Sequence, residues 1–333
     1  MSDTLIEAKI IAIPKEEPIE IFDIHQTYQE LQLEVTSGEQ VGSIYTLENG
    51  TVPMVNQRLY QVGDKVMVGF SDQRDPQTYY IADYIRREAM GILALLFLFV
   101  ILSVAKKQGL MAILGMIFTF FIIFKVTLPL ILGGHSPFWV SILTVAIVIP
   151  VTFYLSHGFK RKTHAAVIAT ILTLIITVLL GFLAVKGIHL TGYASEDSSF
   201  ITAIIGESID IRGLLLAGIV IATLGVINDV TVAQASVVNE IKTSEPKIKF
   251  SDLYRRSMIV GRDHIASMVD TLVLTYAGAS LPLLVLLTHS GLPWAQTINM
   301  ELIAEEIART LVGSIGLILA VPITTVIAAS MIE

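Results

Sequence analysis

From residue 89 onward the chain consists of apolar runs long enough to cross a bilayer, and these runs constrain the fold more than any other feature. A helix that crosses a hydrocarbon core of about 30 Å needs about 20 apolar residues. With 53% hydrophobic and only 15% charged residues, the composition excludes a soluble protein. We predict a polytopic α-helical membrane protein with about seven spans, at residues 89–105, 109–131, 138–156, 165–187, 213–231, 265–288 and 310–331.

The segment before the spans has the short alternation of apolar and polar residues that is typical of strands. Turn residues such as Pro14 and the Asn49-Gly50 pair separate these strands. We therefore divide the chain into a small β domain, residues 1–85, and a transmembrane helical domain, residues 89–333. The β domain is expected to be a small five-stranded barrel or sandwich, closest in shape to an OB-like barrel, that docks a protein partner, with strands at residues 4–13, 28–36, 41–48, 65–71 and 78–83.

Charge is distributed unevenly between the two parts. Residues 1–88 hold 15 acidic and 7 basic side chains, a net charge of −8, and the remainder of the chain has a net charge of +1. This acidity and the lack of a dense basic patch exclude nucleic acid as a partner. The chain has no cysteine, so that a disulfide framework, a thiolate nucleophile and a Cys-ligated metal are all excluded.

The short connections between spans predict the orientation of the chain in the membrane. Eleven basic residues, among them Lys106, Lys107 and Lys160, lie in the connections after spans one, three and five. Only Lys186, Arg212 and Arg309 lie in the others. By the positive-inside rule the first set is cytoplasmic. We therefore expect the β domain outside the membrane and the carboxyl terminus in the cytoplasm.

Asp229 is the most informative polar residue, because it follows sixteen uncharged residues from Gly213 and precedes ten more. At a rise of about 1.5 Å per residue, it lies roughly 6 Å inside the cytoplasmic face. Carboxylates at this depth are costly and mark a bundle interior or a water-filled path. The same spacing argument places polar side chains of four spans in one layer with it: Asn228, Asp270, Ser267, Thr324, Thr325, Thr170 and Thr173.

Two readings of this layer remain open. It is either a proton or cation path in which Asp229 and Asp270 titrate, or a structural network that locks helices by interhelical hydrogen bonds. Arg262, Asp263 and His264 would form the mouth of the path. We predict no catalytic residue, no metal site and no cofactor, because no nucleophile–base pair or ligand spacing is present. Small residues such as Gly218, Gly225 and Gly278 predict close packing of spans five and six.

Two strings carry a resemblance to a known family. GVINDVTVAQASVVNEI at residues 225–241 and GRDHIASMVDTLVLTYAGASLPLLVLL at residues 261–287 resemble the signature of the YibE/F-like family of bacterial multi-span membrane proteins. The resemblance covers most of the chain and implies its fold, a small β domain ahead of membrane spans. It implies no particular biochemical activity.

A more distant resemblance concerns residues 165–330, which are similar to the membrane module of SecD/SecF and the RND permease superfamily. Ile227-Asn228-Asp229 matches the string that ends a span in that module. The resemblance implies an RND-permease-like helix bundle in which Asp229 couples proton flow to transport. The partner carboxylate of the preceding helix is absent here, and threonines such as Thr170 and Thr173 take its place.

These observations give a leading hypothesis and a rival. The first is a permease-like protein, not an enzyme, that transports an unknown substrate with protons or cations. The rival is a non-transporting scaffold or assembly protein, whose polar layer only holds helices together. The expected partners are the lipid bilayer and a protein that binds the β domain or forms a second membrane subunit.

Overall fold

A computed structural model of the chain describes residues 4–54, 56–71, 78–206, 208–289 and 291–332. It divides into two compact units, Met1–Val100 and Ile101–Glu333. The first contains an antiparallel sheet, and the second is a bundle of apolar helices.

The sheet of the first unit has five strands in the order β3-β2-β1-β4-β5. Its centre is β1, which pairs antiparallel with both β2 and β4. Alternate residues of the central strands, such as Ile10, Leu31 and Val66, are completely buried, as expected for a sheet with one apolar face. The strands are β1 (Thr4–Ile21), β2 (Ile24–Val35), β3 (Ile44–Asn49), β4 (Lys65–Ser71) and β5 (Thr78–Tyr84).

The expected turn at Pro14 is wrong, because β1 continues through it to Ile21. Pro14 lies between Ala12 and Lys15, where the register of β1 against β2 shifts. Proline lacks an N–H and is tolerated at such an irregularity of the ladder. The chain instead reverses at Phe22 and Asp23, which have positive φ angles of 49° and 62°.

The long connection between β3 and β4 is held against β2 by a buried glutamine. Gln29 Nε2 donates to Tyr60 O at 3.0 Å, and its Oε1 accepts from Tyr60 N at 3.0 Å. The same oxygen accepts from Asn49 Nδ2 at 3.1 Å. A buried amide costs free energy unless it is paired, and this one is paired on both sides. These hydrogen bonds hold the connection on the sheet, and its described residues form no helix or strand.

An OB-like barrel is not confirmed. Within the described residues no backbone ladder joins the two edge strands, β3 and β5, so the sheet is open by hydrogen bonding. Side chains do meet across this gap, since the rings of Tyr45 and Tyr79 have centroids 4.5 Å apart.

Helices form the described part of the chain from Arg87 onward, apart from short connections. A π-helical stretch, Ile123–Thr127, separates the first two. The helices are α1 (Arg87–Ile122), α2 (Leu128–Leu132), α3 (Pro137–His157), α4 (Arg161–Gly187), α5 (Glu196–Ile205), α6 (Ile211–Ser244), α7 (Phe250–Ala279), α8 (Leu281–His289), α9 (Trp294–Thr297) and α10 (Glu301–Met331).

The expectation of seven spans is not confirmed. Within the described residues, five helical segments are long and apolar enough to cross a membrane. A sixth is obtained if α7 and α8, which are bent by 66° at Ser280, count as one span. The count differs because the first two predicted spans lie in one continuous segment, Arg87–Leu132, which is counted once. Within this segment two helices meet at a kink at Lys106, with φ 49° and ψ −123°, and the kink lies between the two predicted spans. These segments are those of a multi-pass membrane protein.

Helices α4, α6 and α10 pack pairwise at the centre of the second unit, with α3 against α4 and α6, and α7 against α6 and α10. The closest approaches are at Gly261 and Gly316. A Cβ at Gly316 would lie 2.5 Å from Thr177 Oγ1, and one at Gly261 would lie 2.5 Å from Val321 Cγ1. The expected close packing at Gly218, Gly225 and Gly278 is wrong, because a Cβ at these positions would meet no atom within 4 Å.

Candidate functional site

Helix α6 positions the central candidate, Asp229. The helix begins where Asp210 Oδ1 accepts from Gly213 N at 2.9 Å, which caps its first turn. Asp229 lies about 27 Å further along the helix axis. Its neighbours Ile227 and Val230 are completely buried in the bundle, whereas the Asp229 side chain is exposed on the opposite face. The periodicity of the helix thus turns this carboxyl away from the apolar core.

The exposed face of α6 borders a cavity of about 500 Å³. Its other walls are the part of α1 from Ile101 to Thr119 and the second half of α3. Most of the lining is aliphatic, but each helix contributes polar side chains, with Asp229 as the one carboxylate among the lining residues: Gln108, Thr119, Thr152, Ser156, His157, Asn228 and Asp229. Asp229 therefore faces an open, partly polar space between three helices.

The predicted threonine Thr170 lies in a buried contact between α4 and α6. Its Oγ1 donates to Ala166 O at 2.8 Å and lies 2.7 Å from Thr231 Oγ1. Thr231 is also within hydrogen-bond distance of Asn228 O, at 3.1 Å. The turn of α6 that includes Asp229 is thereby connected to α4 by side-chain hydrogen bonds.

A second buried contact joins α6, α7 and α10 through Gln234. Its Nε2 donates to Thr325 Oγ1 at 2.8 Å and to Ser257 O at 3.1 Å. Thr325 Oγ1 itself donates to Val321 O at 2.7 Å. The side chains of Gln234, Ser257 and Thr325 are almost completely buried. This contact is structural, since it satisfies polar groups within the apolar core.

Thr173 and Thr324 are also completely buried, but they make no interhelical hydrogen bond in the described structure. Thr324 Oγ1 donates to Ala320 O of its own helix at 2.6 Å. Thr173 Oγ1 has no hydrogen-bond partner. Neither residue lines the cavity beside Asp229.

Helix α7 carries its candidate residues on an exposed face. Asp263, Ser267 and Asp270 are all exposed, as is Arg262. None of them lines the Asp229 cavity. His264 is half-buried and interacts electrostatically with Asp229. The structure thus brings His264 and Asn228 to Asp229, whereas Asp270 and Ser267 lie on a different surface.

Sequence reasoning missed the residues of α1 and α3 that line the cavity, and it missed Gln234. Gln234 follows Ile227 by seven residues and Thr231 by three, so helical spacing alone would have placed it on the buried stripe of α6. No comparable signal marks Thr152, Ser156 or His157, because their position depends on how α3 packs against α6. The described residues contain no group of three His, Asp or Glu side chains that could hold a metal ion.

Comparison with known proteins identifies the family. No curated protein matches the chain, and neither does any solved structure. The sequence model of the YibE/F-like protein family matches residues 93–333, which include every helix from α3 to α10 and the complete Asp229 cavity. The chain belongs to the YibE/F-like family.

Proposed function

We propose that this membrane protein is a permease in which Asp229 lines a path for protons or cations that is coupled to transport of a substrate. The observation that carries the proposal is the position of Asp229 in the wall of a 500 Å³ cavity between α1, α3 and α6. A carboxylate exposed to lipid would cost several kcal/mol, whereas one that faces a water-filled cavity keeps its hydration. As proposed, the protein is a permease and not an enzyme.

The surroundings of Asp229 support proton or cation chemistry. Asn228, the residue before it on α6, lines the same cavity and adds an amide to this polar wall. His157, Ser156 and Gln108 offer further donors and acceptors along the same cavity. These polar groups are spread over three helices, as expected for a path and not for a single interhelical hydrogen bond.

The test is flux through the purified full-length protein in liposomes that enclose a pH-sensitive dye. A potassium gradient with valinomycin drives proton entry. We expect wild-type vesicles to acidify faster than protein-free vesicles, and Asp229→Asn to abolish this difference because it keeps the shape but removes the charge. Asp270→Asn is the matched control, since this carboxyl does not line the cavity. Flux through Asp229→Asn equal to wild type would contradict the proposal, as would a wild-type rate equal to that of protein-free vesicles.

We place the protein in the bacterial cell membrane, with the β domain outside and the carboxyl terminus in the cytoplasm. The support is the excess of basic residues in one set of connections. Because the chain lacks cysteine, single cysteines at the exposed positions Glu39 and Ser244 can be labelled without background. Glu39→Cys should react with an impermeant maleimide in intact cells, and Ser244→Cys only after lysis. The reverse pattern would invert the orientation.

The second candidate is a membrane scaffold or assembly protein without transport. The buried hydrogen bonds of Gln234 with Thr325 and of Thr170 with Thr231 favour it, because they hold helices together and do not face the cavity. In both readings the β domain, which we propose to be OB-like from the contact of Tyr45 with Tyr79, docks a protein partner. Its acidic surface argues against nucleic acid. If the protein is a scaffold, the Asp229→Asn variant should still bind its partner and should keep its cellular role.

A further inference from the structure

A second cavity of about 400 Å³ lies beside the first, between the start of the α1 segment that follows Lys106 and the connection from α3 to α4. Four of its six polar lining side chains are basic, namely Lys107, Lys160, Lys162 and His157, and the other two are Gln108 and Ser156. There is no carboxylate among the described residues that line it. Residues distant in sequence thus place several positive charges around one space.

These charges are not neutralised by the protein. In the described part of the chain, none of the ion pairs involves Lys107, Lys160 or Lys162. Lys162 Nζ makes one contact with a neutral group, donating to Ser236 Oγ at 3.3 Å. Lys107, Lys160 and Lys162 line the same cavity. Like charges around one cavity repel each other, and an anion bound between them would relieve the repulsion.

The backbone and a buried hydroxyl contribute to the same place. Gly158, with φ 73°, allows the sharp turn that brings Lys160 and Lys162 back to the end of α3. Thr163 is only 2% exposed, and its Oγ1 has no hydrogen-bond partner. It lines a small pocket of about 10 Å³ that shares His157 and Lys162 with the larger cavity. An unpaired buried hydroxyl beside this basic group is a donor without an acceptor.

We infer that this lysine-lined cavity, which we call the basic pocket, binds a phosphate-bearing anion. Lysine ammonium groups bind phosphate oxygens as point charges, and the hydroxyl of Ser156 and the amide of Gln108 add neutral donors. Met111 and Leu155 give the pocket an apolar side. Basic pockets between membrane helices bind anionic lipid headgroups, and free phosphate offers the same oxygens. In the proposed orientation this pocket is cytoplasmic.

Binding can be measured on the purified full-length protein for each source of phosphate. Native mass spectrometry in detergent with phosphatidylglycerol, and with phosphatidylcholine for comparison, reports lipid binding. Calorimetry with inorganic phosphate reports the free anion. The test variant is Lys107→Gln with Lys160→Gln, since these two lysines lack a partner among the contacts described. The control is Lys242→Gln with Lys247→Gln, which removes the same charge outside the pocket.

We expect wild type and control to bind one of the two probes, and the test variant to bind it roughly ten-fold more weakly. Selective binding of phosphatidylglycerol identifies a lipid, and binding of inorganic phosphate alone identifies the free anion. The inference is overturned if wild type binds neither probe, or if test and control variants bind equally.

A charge-restoration experiment distinguishes the loss of charge from the loss of folding. Lys107→Cys introduces the only cysteine of the chain. Modification with a thiosulfonate that adds an ammonium group should restore binding of the probe, and one that adds a sulfonate should not. Equal binding after both modifications would show that charge at position 107 is irrelevant, and would reject the basic pocket as an anion site. This outcome is independent of Asp229 and of proton flux.

Discussion

Single polar residues decide how the helices of this protein are held together. Gln234 bonds to α7 and α10 at once, through Ser257 O and Thr325 Oγ1. Asp229, five residues earlier on the same helix, makes no such bond and faces a cavity. Both residues are polar groups in a candidate membrane span. Gln234 makes hydrogen bonds within the bundle, whereas the carboxyl of Asp229 faces the cavity. Substitutions should separate these two roles.

Gln234→Leu is expected to lower the stability of the helical unit by about 1–2 kcal/mol. It removes two buried hydrogen bonds and leaves the acceptors on α7 and α10 without their donor. Thr243→Val on the same helix is the control, because its hydroxyl is exposed and bonds only to Asn239 O at 2.7 Å. Thermal melting in detergent should show a fall of several degrees for Gln234→Leu only. Equal melting of both variants would mean that the buried contact contributes nothing.

Asp83 gives the β domain a defined dependence on acid. Hydrogen bonds from Arg86, then from Tyr84 N and Arg58, hold the pKa of its carboxyl below the usual range. A carboxyl with a lowered pKa in the folded state stabilises that state above its unfolded pKa of about 4, and this contribution is lost as pH falls further. Acidification should therefore weaken the domain.

Asp83→Asn should remove part of this acid dependence. Pulse proteolysis of the full-length protein in urea, read at cleavage sites within residues 4–71, gives domain stability at pH 7 and at pH 3. We expect the variant to be less stable than wild type at pH 7 and to lose less on acidification. Asp23→Asn is the control, since this exposed turn residue makes no ion pair in the described chain. An unchanged acid dependence in Asp83→Asn would assign the effect to other carboxyls.

At the scale of elements, close helix packing depends on Gly261 and Gly316, which the sequence patterns did not single out. Gly316 of α10 faces Thr177 of α4, where an added Cβ would lie 2.5 Å from the threonine Oγ1. Gly313, one turn earlier on α10, would place its Cβ in open space. The two positions differ in packing but share the same helix and the same gain in helix propensity.

Gly316→Ala should therefore destabilise the helical unit by about 1–3 kcal/mol, because α4 and α10 must separate or Thr177 must move. Gly313→Ala should be neutral or stabilise by up to about 1 kcal/mol, since alanine favours the helix. The measurement is the melting temperature of the two variants in the same detergent. If Gly316→Ala and Gly313→Ala have the same melting temperature, α4 and α10 are less tightly packed than in the structure.

Much of the architecture follows from local patterns in the sequence. Strands β4 and β5 and the apolar helices α3 and α4 lie close to where alternation and apolar length predict them, since each pattern reports burial of its own element, whereas α10 begins nine residues before the predicted span. The family resemblance is confirmed by the match over residues 93–333. Continuation of β1 through Pro14 was not predictable in this way, because it depends on whether β2 tolerates the shift in register there. The kink at Lys106 lies where the sequence predicts a break, between residues 105 and 109.

At the scale of the molecule, helix packing and not the sequence pattern defines the candidate site. Spacing along each helix predicts how deep a residue lies in the membrane, but not the direction in which its side chain points. For this reason the sequence alone assigns Asp229, Asp270 and four threonines to one layer. The bundle turns Asp229 towards α1 and α3, leaves Asp270 on the outer face of α7, and buries Thr170 and Thr325 between helices. Under our proposal, the two initial readings of the layer apply to different residues within it.

The proposed path requires water in the Asp229 cavity, and cysteine reactivity tests this directly. Thiols react with polar reagents as thiolates, which form only in contact with water. Gly225→Cys lines the cavity, where an added Cβ meets no atom within 4 Å. Ile227→Cys, two residues later, is completely buried in the core. In the otherwise cysteine-free protein in membranes, a small charged thiosulfonate should modify Gly225→Cys at least about ten-fold faster than Ile227→Cys. Equal and slow reaction at both positions would mean that lipid fills the space beside Asp229, and the transport proposal would then lose its path.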